Sequence, residues 1–322
     1  MRIVLWIVVT LFGALTLLGF LGRVWWPLEL ASFFRPWYAG LLALAAVLAL
    51  PFRSFAVALA ALVLVAVNVA VVALAIRDRP SYPRALAGSR VKVLLANLYA
   101  RNDDYGRVAA LIRRERPDVI GLTELTPAWS RALGGVLARY RSRAVAPRPG
   151  PFGIGLYGRV PLDRTRLEPF APGAPNAAVA SLALAGRPVT LVLVHPPFPF
   201  TAENGTERRD QLEAIGDLVA SGRLGRNVAI CGDLNAPPWT WAARRLVSRA
   251  AATDIARGDG FEGTWPRWLP APLRLPLDTC LLSDGVTLLS RSAGPNVGSD
   301  HLPLIVELGA AESVPRSGER DF

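Results

Sequence analysis

Hydrophobic and polar residues are distributed very differently in the first quarter of the chain and in the remainder. Residues 3–21 and 54–76 are almost wholly apolar, and each segment is long enough to cross a bilayer, which takes about 20 residues. Residues 37–51 form a third apolar segment that is short for a crossing, so it either crosses or dips into the bilayer. The pattern predicts a membrane segment over residues 1–78 with two or three helices.

The number of crossings decides on which side of the membrane the rest of the chain lies. Three crossings with the amino terminus inside place it outside the cytoplasm, whereas two crossings keep it inside. Arg77, Arg79 and Arg84 near the exit of the last segment favour the cytoplasmic side, but large domains translocate largely regardless of charge. We therefore expect three crossings and an extracytoplasmic domain in a multi-pass protein of the cell membrane. A cleaved signal peptide is the alternative for residues 3–21, and the apolar segments that follow argue against it.

Beyond this segment the pattern changes to short apolar runs separated by helical periods and by Pro- and Gly-rich turns. Residues 79–90 are predicted to be a linker, 91–308 a domain and 309–322 a polar tail. Strands and helices intermixed in this way favour an α/β fold with two packed sheets flanked by helices. The predicted strands are 91–98, 118–125, 153–157, 178–184, 189–195, 228–231, 277–282 and 304–308, and the predicted helices lie after 103 and over 127–138, 206–219 and 237–249.

Charge and cysteine content narrow the range of possible functions only slightly. The net charge is +11, carried almost wholly by arginine because Lys92 is the one lysine. Such a charge suits nucleic acid, anionic lipid or a phosphorylated substrate and does not choose among them. Cys231 and Cys280 are too few for a disulfide framework or a zinc site. Both fall in predicted buried strands, where a free cysteine packs as a small hydrophobe, and the sequence leaves their redox state open.

The stretch 228–237 carries the most informative local pattern. After four apolar or small residues, Gly232 is predicted to let the chain turn, and Asp233 and Asn235 emerge at the strand end. In an extended chain these two side chains lie on one face, so both can point at one phosphate or one water. The alternative is that the aspartate merely stabilises a turn of the Asx type.

Further polar residues recur at the ends of otherwise apolar strands. These positions include both histidines of the chain, which makes a catalytic role more plausible than satisfied core residues. The carboxyl ends of strands at one sheet edge are where α/β folds gather their sites. The residues concerned are Asn97, Glu124, His195, Asp300 and His301.

Residue type then indicates the chemistry. Glu124, with Asn97 and Asp300, offers hard oxygen ligands that suit Mg²⁺ or Mn²⁺. Asp233 and Asn235 are placed to orient and deprotonate a water, and His301 can stabilise charge on a phosphoryl oxygen. An acid such as Asp278 can fix the tautomer of that histidine.

The ordered set Asn97, Glu124, His195, 232–235 and 299–301 resembles the endonuclease/exonuclease/phosphatase (DNase I-like) superfamily over residues 91–308. The resemblance implies a four-layer α/β sandwich and a divalent metal bound through Glu124, assisted by Asn97 and Asp300. It further implies that Asp233 and Asn235 orient water, that His301 stabilises the phosphate and that Asp278 pairs with it. His195 matches a histidine of the nuclease and sphingomyelinase branches. Thr279 stands where the family often has an aromatic residue or histidine.

An apolar start followed by this domain is similar to the bacterial membrane-anchored branch, which includes proteins associated with teicoplanin and vancomycin resistance. That resemblance implies hydrolysis of a phosphoester or pyrophosphate on a polyprenyl lipid of the cell envelope. Trp239, Trp241, Trp265 and Trp268 either touch the lipid chain or pack in loops. The alternatives are a membrane-tethered nuclease, with Arg208 and Arg209 on phosphates or on a solvated helix face, and a non-catalytic membrane adaptor.

Overall fold

Helices fill the amino-terminal quarter of the computed structural model, which describes residues 1–77, 80, 82–258 and 262–312. Residue 78 of the predicted membrane segment, residues 79 and 81 of the predicted linker, residues 259–261 of the predicted domain and residues 313–322 of the predicted tail lie outside the described residues. Four helices are seen: α1 Arg2–Leu18, continued by a 3-10 turn Gly19–Leu21, α2 Trp26–Phe33, α3 Arg35–Ala49 and α4 Phe55–Ile76. Helix α2 was not predicted, since its eight residues mix Glu29 with apolar residues over barely two turns.

Two of these helical stretches, Arg2–Leu21 and Phe55–Ile76, are long and apolar enough to cross a membrane, and the bent pair α2–α3 makes a third if it counts as one span. The bend between α2 and α3 is 61°. Helices α1, α3 and α4 pack together around an apolar cluster that includes Leu42 and Ala61. Arg2 donates hydrogen bonds to the carbonyl of Phe52, whereas Arg35 donates to the carbonyl of Thr16, so α3 runs antiparallel to α1.

Two six-stranded sheets make up the centre of the remaining chain. The first sheet has the order β11-β12-β1-β2-β4-β3 and the second β5-β6-β7-β8-β10-β9. Their apolar inner faces meet in one core. The strands are β1 Val91–Asn97, β2 Val119–Thr123, β3 Ser142–Ala146, β4 Ile154–Gly158, β5 Asp163–Glu168, β6 Ala177–Leu184, β7 Arg187–Leu193, β8 Val228–Asp233, β9 Thr253–Asp254, β10 Asp278–Leu282, β11 Val286–Ala293 and β12 Leu304–Ala310.

Helices cover the outer faces of both sheets. The first sheet packs against α5 Tyr105–Glu115, α6 Pro127–Ala132 and α7 Gly134–Leu137. The second packs against α8 Ala202–Ala220 and α9 Trp241–Arg249. The layers are therefore helices, sheet, sheet and helices, which confirms the predicted four-layer α/β sandwich.

Several element boundaries differ from the sequence prediction. Strands β3, β5, β9 and β11 were missed because they are edge or near-edge strands with exposed polar residues or only two residues long. Strand β12 extends to Ala310, so Gly309 belongs to the sheet and not to a tail. The predicted linker packs against the carboxyl end of β12, where the backbone N–H of Leu86 donates to the carbonyl of Ala310.

The two cysteines form a disulfide, which answers the redox question that the sequence left open. Strands β8 and β10 pair antiparallel with Cys231 directly opposite Cys280, and their Cα atoms lie 4.1 Å apart. The same register places Asp233 opposite Asp278 at the end of the pair. The cross-link therefore joins the two strands that carry these aspartates, two residues away from the aspartate on each strand.

Candidate active site

The predicted site residues gather at one edge of the two sheets. Asn97 is the last residue of β1 and Asp233 is the last residue of β8. Glu124 directly follows β2, which pairs parallel with β1. Strands β10 and β12 run in the opposite direction, so their first residues and the loops before them reach the same edge. Asp278 begins β10, Asp300 and His301 precede β12, and His195 lies two residues beyond β7.

Gly232 does not make the turn that its sequence position suggested. It lies inside strand β8 with φ +137°, and a side chain there would meet the carbonyl oxygen of Val194 at 2.1 Å. Glycine thus lets the strands before Asp233 and His195 approach closely.

The turn after Asp233 has an Asx geometry and builds the site at the same time. The backbone N–H of Asn235 donates to Oδ1 of Asp233 at 2.9 Å, and Asn235 itself has φ +47°. Its side chain donates to the carbonyl of Pro196 at 3.0 Å and lies 3.3 Å from Nε2 of His195. The predicted turn of the Asx type is therefore present, and the functional role of this stretch stays a prediction. Asparagine tolerates this left-handed backbone better than most residues.

One oxygen of Asp233 lies at the centre of the site. Its Oδ2 accepts a hydrogen bond from Nδ2 of Asn97 at 3.0 Å. The same oxygen lies 3.5 Å from Nε2 of His195 and 3.6 Å from Nε2 of His301. Both histidines of the chain thus face one carboxylate. Asp233, His195 and His301 are all buried.

His301 is held in a fixed orientation. Its Nδ1 donates to Oδ2 of Asp278 at 2.8 Å, and its backbone N–H donates to Oγ of Ser299 at 3.1 Å. The ring nitrogen Nε2 is left facing Asp233. This is the pairing that the sequence predicted for Asp278. An imidazole oriented by a buried carboxylate is suited to act on a group placed at its other nitrogen.

Electrostatics keep this histidine charged. Burial by itself lowers the pKa of an imidazole, but the carboxylates of Asp278 and Asp233 outweigh it and raise the pKa of His301 to about 10. Burial acts to raise the pKa of Asp233, yet the charges of His301 and His195 reverse this and hold the pKa well below its usual range. The pKa of His195 is raised, since the interaction with Asp233 outweighs desolvation. At neutral pH an imidazolium at His301 therefore faces an ionised Asp233.

Oxygen donors suited to a divalent metal lie beside this pair. Oε1 of Glu124 accepts from Nδ2 of Asn97 at 3.1 Å, and Oε2 accepts from the N–H of Ala100 at 2.7 Å. Each carboxylate oxygen keeps a lone pair free for a cation, so this donor set fits Mg²⁺ or Mn²⁺. The backbone of Glu124 has φ +54°, an uncommon value outside glycine.

A second group of potential metal ligands includes both His301 and Asp233. One ligand atom each from Asp233, Asp278 and His301 lies within 4.8 Å of the others, and all three residues are buried. Asp300, which the sequence predicted beside Glu124, instead accepts a hydrogen bond from the indole N–H of Trp265 at 3.1 Å. Ser299 lies next to its other oxygen, at 3.5 Å.

A buried ion pair that the sequence did not reveal joins helix α2 to the site. Arg208 donates from Nη2 to Glu29 of α2 at 2.5 Å and from Nη1 to the carbonyl of Asn235 at 2.8 Å. Glu29 also accepts from the N–H of Ala242 at 2.7 Å. Arg208 and Glu29 are 1% and 2% exposed, so Arg208 lies neither on a phosphate nor on a solvated helix face. Arg209 contacts Trp241 through its guanidinium, 4.8 Å from the ring centre.

The four tryptophans that the sequence suggested for lipid contact have different surroundings, and Trp241 begins helix α9. Trp239 is buried and donates to the carbonyl of Ser32 in α2 at 2.8 Å. Trp265 stacks on Trp37 of α3 with ring centres 6.2 Å apart, while Trp268 is 63% exposed. Loop packing therefore accounts for Trp239, but not for all four residues.

Comparison with known proteins identifies the protein family to which this chain belongs. The profile of the Endonuclease/Exonuclease/phosphatase family matches residues 94–301, which is more than half of the chain. The chain therefore belongs to this family, whose members are hydrolases of phosphoesters. A comparison with curated protein sequences gave no significant match.

Solved structures of similar fold include proteins of varied activity. Humanized D. rerio TDP2 is 19% identical, with a TM-score of 0.56 over 69% of this chain and 99% of that one. The human Nocturnin catalytic domain with bound sulfate is 17% identical, with a TM-score of 0.57 over 71% and 97% of the two chains. Sphingomyelinase C from Streptomyces griseocarneus is 18% identical, with a TM-score of 0.50 over 69% and 99%. At these identities the likeness shows the fold.

Proposed function

We propose that the protein is a membrane-anchored, Mg²⁺-dependent phosphohydrolase that acts on a phosphoester or pyrophosphate of a polyprenyl-type lipid. The observation that carries the lipid substrate is the contact between α2 and the site: Glu29 binds Arg208, and Arg208 binds the backbone of Asn235. The membrane segment thus borders the residues predicted to do the chemistry. The resemblance of the anchored architecture to proteins associated with glycopeptide resistance supports a cell-envelope pyrophosphate.

The chain's own residues have distinct parts in the reaction. Asp233 and Asn235 orient a water whose oxygen attacks phosphorus, while the bond from phosphorus to the leaving oxygen breaks and the proton of the water passes towards Asp233. The imidazolium of His301, held by Asp278 at 2.8 Å, stabilises the negative charge that develops on the phosphoryl oxygens. His195 lies 3.5 Å from the same oxygen of Asp233 and helps to hold this carboxylate in place.

The metal site is assigned to Glu124 and Asn97, with Asp300 assisting. A divalent cation bound there supplies Lewis-acid stabilisation of the phosphoryl group. Glu124 is oriented for this role by the backbone N–H of Ala100, which holds one oxygen at 2.7 Å. The site has a residue of the expected type at every position, which argues against a non-catalytic adaptor.

We place the catalytic domain outside the cytoplasm. The ends of α1 and α3 support three crossings: residue 2 contacts residue 52 at one end of the bundle, and residue 16 contacts residue 35 at the end near α2. An odd number of crossings separates the amino terminus from the domain. The disulfide between Cys231 and Cys280 supports the same side, because disulfides persist in oxidising compartments.

The deciding experiment uses the purified full-length protein in detergent with Mg²⁺, beside His301→Ala and Asp233→Ala variants. Phosphate release from a polyprenyl diphosphate is followed in parallel with nicking of supercoiled DNA. We expect lipid turnover that is lost in both variants while DNA stays intact. Nicking of DNA that depends on His301, without lipid turnover, would identify a membrane-tethered nuclease instead. Full lipid turnover in either variant would refute the assigned site.

A further inference from the structure

Six aromatic rings extend from the amino-terminal helices towards the site, and one series of them reaches His301. They start at the bend between α2 and α3, where the ring centres of Phe33 and Phe34 lie 6.3 Å apart. We call the set the aromatic fork because one arm leaves from each of these two residues. Its members are Phe33, Phe198 and Phe200 in the first arm and Phe34, Trp37 and Trp265 in the second.

The first arm approaches the side of the site that holds His195. Phe33 contacts Phe198 edge to face with centres 5.6 Å apart, and Phe198 contacts Phe200 at 4.4 Å. Phe198 follows His195 by three residues in the same loop. Phe200, at the end of this arm, is 72% exposed.

The second arm approaches His301. Phe34 lies 4.8 Å from Trp37, and Trp37 stacks on Trp265 at 6.2 Å. The ring of Trp265 then lies 6.5 Å from the imidazole of His301, and its N–H binds Asp300. This arm is therefore an unbroken series of ring contacts from a membrane helix to the phosphate-stabilising histidine.

Burial shows that the fork is more than interface packing. Phe33 is fully buried, as expected for a residue that joins two parts of a protein. Phe34, Trp37, Phe198 and Trp265 are only half-buried, and Phe200 is largely exposed. Large aromatic rings that are exposed to water are stabilised when an apolar molecule covers them.

We propose that the aromatic fork binds the hydrocarbon chain of the lipid whose phosphate reacts at His301, and so selects long-chain over short-chain substrates. The inference rests on the proposed function and names the part of the protein that would give it lipid specificity. Because the fork begins at the membrane segment, a chain can pass from the bilayer to the site along apolar rings without crossing water. Aromatic faces bury such a chain with little loss of side-chain entropy.

The test compares two substrates with the same head group, a long-chain polyprenyl diphosphate and the water-soluble dimethylallyl diphosphate. The variants are Phe200→Ala and Trp37→Leu in the full-length protein with Mg²⁺. We expect the ratio of kcat/KM for the long chain to that for the short chain to fall about tenfold in each variant, the order expected for losing part of a buried ring contact. Turnover of the short substrate should fall much less than turnover of the long one, and its persistence also shows that the variants are folded.

Trp6→Ala is the matched control, because Trp6 is a 46% exposed tryptophan of α1 outside the fork. Its ratio should equal that of the wild type. Wild-type turnover of both substrates with an unchanged ratio in Phe200→Ala and Trp37→Leu would overturn the inference and leave the proposed function standing. No turnover of either diphosphate by the wild type would overturn the proposed function, and this inference with it.

Discussion

Glu29→Ala removes one partner of the buried ion pair between helix α2 and helix α8. In the native protein Glu29 accepts hydrogen bonds from Arg208 at 2.5 Å and from the N–H of Ala242 at 2.7 Å. The variant leaves the guanidinium of Arg208 buried beside Asn235 without its counter-charge. We expect it to destabilise the protein and to lower catalytic activity together.

The expected magnitude follows from burial. Breaking a buried ion pair by removing one partner costs about 3–5 kcal/mol, because an uncompensated charge stays inside the protein. At roughly 2 °C per kcal/mol for a protein of this size, the melting temperature should fall by about 6–10 °C. Activity should fall as well, because Arg208 fixes the backbone carbonyl of Asn235 at 2.8 Å.

The assay is thermal unfolding of the purified full-length protein in detergent, followed by circular dichroism, with lipid turnover measured in parallel. Glu168→Ala is the control: its partner Arg166 lies 2.9 Å away, but the two side chains are 39% and 44% exposed. Such surface pairs contribute at most about 1 kcal/mol. The double variant Glu29→Ala/Arg208→Met should recover more than half of the lost stability, since no buried charge remains.

Equal and small shifts for Glu29→Ala and Glu168→Ala would refute the reasoning. They would mean that water reaches Arg208 once Glu29 is gone, and that the two parts of the protein are not coupled through this pair. A stability loss without any loss of turnover would confine the role of Arg208 to folding.

Three further predictions test the site and the cross-link. Asp278→Asn should lower turnover by about 100-fold or more without unfolding, because His301 loses the carboxylate that orients and charges it; initial rates at saturating lipid check this. Glu124→Gln should raise the Mg²⁺ concentration for half-maximal activity roughly tenfold or more, and an unchanged Mg²⁺ titration would remove Glu124 from the ligands. Replacing Cys231 and Cys280 together by alanine should cost about 4 kcal/mol in urea unfolding, as expected for a sequence separation of 49, and reductant should add no further loss.

The site residues could be predicted from the sequence because each belongs to a local pattern. Asn97, Glu124 and Asp233 each end a short apolar run, and such a run predicts a strand with its end at a sheet edge. Their order along the chain matches one family, which supplied roles for His301 and Asp278. The structure then placed His301 and Asp278 at hydrogen-bond distance.

The amino-acid sequence by itself thus determined the apolar helices, the buried strands and the kinds of chemical group at their ends, since hydrophobic periodicity and side-chain type are local properties. The tertiary structure decided which distant groups meet. Glu29 and Arg208 are 179 residues apart and Cys231 and Cys280 are 49 apart, so their pairing depends on how helices dock and strands align. Helix α2 is too short to show a helical period, and it is stabilised by packing on the catalytic domain. Contacts of this kind form only once the chain has folded, because no local pattern records the partner.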